Sequence, residues 1–180
     1  LDYSHIRTTA GDLNGADLAK VMEVEETLQG IAGGTIEAIG DKKTLVFTVT
    51  VCQAENLAGI FNRHRDGMAE WVCGATPKHQ RHDILESFRC GNTQVLVNVG
   101  VLTEGYDEVT IECIVMARPT KSRALYAQCC GRGLRPLPGV VDGIESGPDR
   151  RLAISVSQKP TCQVLDFVGN SGKHKLISTA

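Results

Sequence analysis

Four short apolar runs, rich in β-branched residues and separated by segments of different character, constrain this chain more than any other feature. They are Thr44-Leu45-Val46-Phe47-Thr48-Val49, Gln94-Val95-Leu96-Val97-Asn98-Val99, Ile111-Glu112-Cys113-Ile114-Val115-Met116-Ala117 and Cys162-Gln163-Val164-Leu165-Asp166-Phe167-Val168. The first two read as buried strands and the other two as further strands. A shorter strand is expected at Trp71-Val72-Cys73. Ala54, Leu57, Ala58 and Phe61 recur at helical spacing and predict an amphipathic helix from about Gln53 to Arg65. Thr76-Pro77 opens a second helix, with Thr as its cap, Pro at the first helical position and Ile84, Leu85 and Phe88 as its buried stripe. A third helix is expected from about Ser122 to Leu134. Strands joined through helices require crossovers, so the predicted fold class is α/β, a parallel sheet with helices on both faces. Ligands of such sheets bind at the carboxyl ends of the strands, which points to the loops after Thr48, Cys73, Val99 and Ala117.

The flanks are less strongly patterned. Leu13, Leu18, Val21, Met22, Leu28 and Ile31 suggest helix over residues 13–32, docked on the sheet. Residues 136–149 read as a loop, after which Ser146 and Pro148 cap a helix running to about Ser157. The chain therefore divides into residues 1–42 as a helical extension or linker, 43–136 as the α/β core, and 137–180 as a loop, helix and last strand completing the same domain. With 180 residues, of which 42% are hydrophobic, there is enough apolar material for one packed core, which excludes wholesale disorder. No apolar run approaches the roughly 18–20 residues of a membrane span, so no membrane partner is expected. Beginning at Leu1 rather than Met, the chain is expected to be a piece of a longer protein.

Charge is uneven beneath a net −2. Acidic residues dominate positions 1–60, while 61–135 carry ten basic against eight acidic side chains, which locates any anion site in the middle third. Seven cysteines without a Cys-x-x-Cys pair argue against a disulfide framework or zinc site and fit a reduced intracellular setting. That setting is cytoplasmic or nucleoid in the first instance, mitochondrial in the second. His79 and His82 share a helix face, and a solvated helix start is their simpler reading; no metal ligand is expected.

The sharpest motif is Gln128-Cys129-Cys130-Gly131-Arg132-Gly133-Leu134-Arg135. On a continuous helix Gln128, Arg132 and Arg135 fall at i, i+4 and i+7 and point one way. Paired guanidiniums suit phosphate, although a solvated helix end is the plain alternative. Gly131 and Gly133 each cost a helix about 1 kcal/mol, which implies close backbone approach to something. A second motif, Thr103-Glu104-Gly105-Tyr106-Asp107, follows a strand: Gly105 permits a tight turn, and Asp107 is suited to accept from a sugar hydroxyl. The third, Gly74-Ala75-Thr76-Pro77-Lys78, offers amides, a hydroxyl and an ammonium to a backbone phosphate, or is an ordinary capped helix. Thr48-Val49-Thr50-Val51 repeats the hydroxyl theme. No Gly-x-x-x-x-Gly-Lys-Ser/Thr cradle occurs, and no Asp-Glu pair ends a strand to hold magnesium. A phosphate-facing arginine pair without a phosphate cradle is half a site.

Taken in order, Leu45–Thr50, Gly74-Ala75-Thr76, Val95–Val99 leading to Thr103–Asp107, and Gln128-x-x-Gly131-Arg132-Gly133-x-Arg135 resemble the second, C-terminal RecA-like domain of superfamily 2 helicases. Met116-Ala117-Arg118-Pro119-Thr120-Lys121-Ser122-Arg123 is similar to the branch with restriction-enzyme motor subunits, excision-repair helicases and double-stranded DNA translocases. The resemblance implies that Arg132 and Arg135 act as arginine fingers on the γ-phosphate, with Gln128 sensing or orienting it. It further implies nucleotide contacts from Glu104, Gly105, Asp107 and Gly131. Strand contacts are implied for Thr50, Thr76, Lys78, Val99, Gly100 and Thr103. ATP and Mg²⁺ would be held mainly by a missing first RecA-like domain, so this chain alone is expected to be inactive. The implied function is an ATP-dependent helicase or translocase acting on DNA rather than RNA. An RNA helicase domain and a stand-alone nucleotide- or phospholigand-binding α/β module remain the alternatives.

Overall fold

The computed structural model describes residues 3, 5–103 and 105–173. Its elements, in chain order, begin with a two-stranded antiparallel hairpin, β1 (Thr8–Thr9) and β2 (Asp12–Leu13), and two helices, α1 (Gly15–Met22) and α2 (Glu25–Ile39). There follow β3 (Thr44–Phe47), α3 (Val51–His64), β4 (Ala69–Val72), α4 (Lys78–Cys90), β5 (Val95–Asn98), β6 (Cys113–Met116) and α5 (Arg123–Gly131). The chain closes with α6 (Gly147–Ser155), β7 (Gln163–Asp166) and α7 (Asn170–Lys173).

Five strands form one all-parallel sheet in the order β4-β5-β3-β6-β7. The three central strands are buried at every position, which is why their sequences read as continuous apolar runs. Edge strands β4 and β7 are only partly covered. From β3 the chain moves outward to β4 through α3, then inward to β5 through α4. Crossovers in opposite directions with one hand put α3 and α4 on opposite faces. On one face α2 packs beside α3 and against the end of β7, where a Cβ on Gly34 would stand 2.7 Å from Phe167 Cε1. Among the described residues no helix is long and apolar enough to cross a membrane.

Several expectations are corrected. The helix expected over residues 13–32 is present as α1 and α2, and the hairpin β1–β2 that precedes it was not anticipated. Asn14 caps α1 through its Oδ1, which accepts from the amides of Ala16 and Asp17 at 3.0 and 3.1 Å. Thr76 does not cap α4. That helix starts at Lys78 with Pro77 at its cap position, while Thr76 Oγ1 accepts from the Cys73 amide at 3.0 Å and closes the turn after β4. The third helix ends at Gly131 rather than near Leu134. Its exit tightens into successive three-residue bonds, from Arg132 N to Cys129 O at 3.2 Å and from Gly133 N to Cys130 O at 3.1 Å. Ser146 does cap α6.

Candidate nucleotide and nucleic-acid interface

Two groups of the expected site residues lie on different parts of the sheet. The first lies at the carboxyl edge, where buried polar side chains tie the loops together. Asn98, fully buried, donates from Nδ2 to Val46 O at 2.9 Å and accepts from the Leu102 amide at 3.3 Å. Thr48 Oγ1 donates to Asn98 O at 3.0 Å. Gln53, also buried, accepts from Val49 N at 2.8 Å and donates to Ala117 O at 2.9 Å. Between them these two amides lock the loops after β3, β5 and β6.

On this edge Thr50 caps α3, its Oγ1 accepting from the Gln53 amide at 3.1 Å and donating to the Glu23 carboxylate. Its hydroxyl is thus engaged within the fold. The turn at Thr76 is held by Arg81, whose Nη2 donates to the carbonyls of Cys73 and Gly74 at 2.9 and 3.2 Å. No side chain caps α4, so its first amides remain available beside the exposed Lys78. Val99 N is bonded to Val72 O at 3.0 Å, Gly100 is exposed with φ +67°, and Thr103 is half-buried.

The second group sits beside the starts of β6 and β7, because α5 runs back across the sheet from the carboxyl edge. Gln128 is exposed on α5, and Arg132, which keeps helical dihedrals (φ −61°, ψ −32°), follows one turn later. Arg135 lies beyond the helix, so the i, i+4, i+7 face does not account for its position; a partner loop does. Arg132 Nη1 donates to Tyr106 O at 2.8 Å, and the Arg135 guanidinium pairs with the Asp107 carboxylate. Both arginines therefore converge on the turn after Gly105, which takes φ +71°. Glu104 lies outside the described residues.

This turn is well anchored below. Buried Glu108 accepts from Thr110 N and Oγ1 at 3.1 and 2.6 Å and faces Arg89 Nε at 3.5 Å. Arg132 Nε is buried with no partner, and so is the hydroxyl of Tyr106, whose ionisation burial pushes upward. Next to the exposed Arg–Asp pair the cluster thus holds, among the described residues, a charged donor and a hydroxyl that lack an acceptor.

The two glycines of the motif differ. A Cβ on Gly133 would overlap Cys162 Sγ and stand 3.0 Å from Ile114 Cγ1, whereas one on Gly131 meets nothing within 4 Å. Close approach at Gly133 is to the protein's own sheet rather than to a ligand. Lys159 and Asp12 were not anticipated from sequence. Lys159 bonds the carbonyls of Val109 and Arg135, and Asp12 accepts from Thr120 Oγ1 and Lys121 N at 2.8 and 2.7 Å. Each is a solitary residue in a polar segment whose partners are distant in sequence. Among the described residues no group of three His, Cys, Asp or Glu is placed to hold a metal ion.

Comparison with known proteins identifies the family and the fold. The chain is 31% identical over 173 residues to a Saccharomyces cerevisiae protein bearing the name ATP-dependent helicase IRC3, covering 94% of this chain and 22% of that protein. It is 35% identical over 111 residues to UvrABC system protein B of Chlamydia trachomatis, covering 56% of this chain and 16% of that one. The chain thus spans about a fifth of the length of the curated relatives it matches. Among solved structures it resembles a fragment of an HsdR-type subunit of a type I restriction enzyme from Vibrio vulnificus, with TM-score 0.60 and 20% identity over 87% of this chain and 29% of that one. It also resembles the C-terminal domain of the DEAD-box protein Dbp5, with TM-score 0.58 and 18% identity over 79% of this chain and 70% of that one. At such identities these two likenesses establish the fold, a RecA-like one, as the parallel sheet itself indicates. The helicase conserved C-terminal domain model matches residues 23–136, from the end of α1 through the arginine motif, and this chain belongs to that family as a superfamily 2 C-terminal RecA-like domain.

Proposed function

We propose that this chain is the second motor domain of an ATP-dependent DNA helicase or translocase, and that it supplies charge to a nucleotide held by a first domain. The observation that carries the reading is the convergence of Arg132 and Arg135 on the Tyr106–Asp107 turn, with Arg132 Nε buried and unpartnered. Each guanidinium holds a weak internal acceptor that a phosphate can replace with a stronger one. In this reading Arg132 and Arg135 stabilise charge developing on the γ-phosphate, and Gln128 orients it from the exposed face of α5. Asp107, once released from Arg135, accepts from the ribose, and Gly105 and Gly131 give the nucleotide access to the backbone. Magnesium, when bound with ATP, supplies further charge neutralisation from the first domain's side; this chain contributes the arginines.

At the carboxyl edge, the uncapped start of α4 with Lys78, the Thr76 turn and the Val99–Thr103 backbone would grip one strand through its phosphates. Thr50 contributes by shaping the start of α3, its hydroxyl already being occupied. DNA is favoured over RNA because the curated relatives include UvrABC system protein B, whereas the structural neighbours, among them RNA-bound Dbp5, speak to the fold alone.

The test is ATP hydrolysis by the protein carrying this chain together with its nucleotide-holding domain. Arg132→Ala and Arg135→Ala should each lower kcat on the order of a hundredfold or more while DNA affinity holds, in keeping with other arginine fingers. The 180-residue chain alone should hydrolyse no ATP. Wild-type turnover by both variants, or turnover by the isolated chain, would sink the reading; stronger stimulation by RNA than by DNA would redirect its substrate.

A further inference from the structure

Lys159 lies between α6 and β7 in the polar stretch Ser157-Gln158-Lys159-Pro160, where a lysine is ordinarily solvated. Here it is 6% exposed. Its Nζ donates to Val109 O at 2.7 Å and to Arg135 O at 2.9 Å. No carboxylate forms an ion pair with it among the described residues, although Glu108 and Glu112 are near enough to favour its charge. Burying an ammonium costs several kcal/mol, and two main-chain carbonyls offset only part of that. Burial accordingly depresses the readiness of Lys159 to hold its proton.

The two carbonyls belong to the two segments that meet in the arginine cluster. Val109 is two residues past Asp107, and Arg135 is the residue whose guanidinium pairs with Asp107. Arg132 ties the same segments from the other end through Tyr106 O. The tips and the root of the cluster are thus held differently. At the tips are an exposed ion pair and a single guanidinium–carbonyl bond, both replaceable by an anion. At the root is the ammonium of a largely buried lysine, already bonded to two main-chain carbonyls.

We propose that Lys159 is a positioning residue for the arginine pair, fixing the backbone from which Arg132 and Arg135 reach while their tips exchange internal acceptors for phosphate. This rests on the reading of those arginines given above. A finger works only if its offset from the phosphate is set before the reaction, and misplacement by about 1 Å costs on the order of a hundredfold. Pinning Arg135 through its carbonyl sets that offset while leaving the side chain free to turn.

The experiment measures DNA-stimulated ATP hydrolysis by the protein carrying this chain and its nucleotide-holding domain, with Arg132→Ala as reference. Lys159→Met keeps the stem and removes the donors. It should lower kcat about tenfold or more, with KM for ATP and affinity for DNA within about twofold of wild type. Lys159→Arg, which retains charge and donors, should recover at least about half of the lost rate. If Lys159→Met does not fold, Lys159→Gln, whose amide still reaches one carbonyl, is held to the same split between kcat and KM. Unchanged kcat, or kcat falling in parallel with ATP and DNA affinity, would overturn the inference. If Arg132→Ala is impaired and Lys159→Met is not, only the role of Lys159 fails; if Arg132→Ala is active, the arginine reading fails and this one with it.

Discussion

Asp107 and Gly133 show how one motif combines contacts with opposite demands. The Asp107 carboxylate is the internal anion of Arg135, and the pair is exposed enough that its net worth is about 0–1 kcal/mol. Such a pair yields readily to phosphate. Asp107→Asn should strengthen binding of inorganic pyrophosphate to the isolated chain about two- to fivefold at low salt, because the carboxylate no longer competes. Pyrophosphate has no ribose, so loss of a sugar contact does not obscure the result; equal or weaker binding by titration calorimetry would refute the competition. Gly133 has no such latitude. A methyl group there overlaps Cys162 Sγ and presses on Ile114, so Gly133→Ala should destabilise by about 1–3 kcal/mol in urea unfolding. Adding Cys162→Ala removes the overlapping sulfur and should return more than half of that loss. Additive single costs would show that the two residues do not collide.

Elements with local causes were legible in the sequence, and elements with distant causes were not. β3 and β6 announced themselves because a strand buried on both faces favours apolar or β-branched residues in a row, and each has four; β5 has three before Asn98. The cap at Ser146 was equally visible. By contrast, α5 stops at Gly131 because the backbone must turn to let Gly133 lie against Cys162, a neighbour 29 positions away that no spacing rule reveals. The hairpin Thr8–Leu13 is polar and lacks an apolar pattern; its place is set by Asp12 reaching the loop at Thr120. Half of the candidate site was legible in the same sense. Residue types and order pointed to phosphate, while the convergence on Tyr106–Asp107 and the anchor at Lys159 needed the fold. At the carboxyl edge, Asn98 ends β5 with a polar side chain that joins β3 to the loop after β5. Asn98→Leu, similar in size, leaves Val46 O and Leu102 N without that partner and should cost about 2–4 kcal/mol. In the intact motor it should weaken DNA binding beyond what stability explains, as read by binding at a temperature where both proteins are fully folded. Undiminished stability would mean the loop does not depend on the amide.

At the scale of the whole molecule, the mainly aliphatic core also encloses several thiols. All seven cysteines are free, and Cys113, Cys129 and Cys130 are fully buried between sheet and helix. Burial pushes Cys113 and Cys129 from 9.0 up to about 12, and Cys130 up to about 11. In the unfolded chain these groups release their protons near pH 9, while in the folded chain they hold them. The folded state therefore binds more protons above pH 9, and stability falls as pH rises. Each thiol contributes a slope of about 1.4 kcal/mol per pH unit until its folded pKa is reached. Lys159, shifted down by burial, and Cys73, held down against burial by hydrogen bonds from the Thr76 turn, oppose this, while Cys52, Cys162 and the buried tyrosines, shifted up, add to it. A domain of this size has roughly 5–15 kcal/mol in hand, so two pH units on three thiols removes much of it. Thermal unfolding should thus be nearly level from pH 7 to 9 and fall steeply from 9 to 11. Replacing Cys129 and Cys130 together by alanine should flatten that fall while lowering stability at pH 7 through lost packing. At pH 8 a thiol reagent should label exposed Cys52 and Cys90 in the folded chain and reach the buried set only through unfolding. A Tm unchanged up to pH 11, or rapid labelling of Cys129, would show that the region leading into the arginine motif opens far more readily than its packing implies.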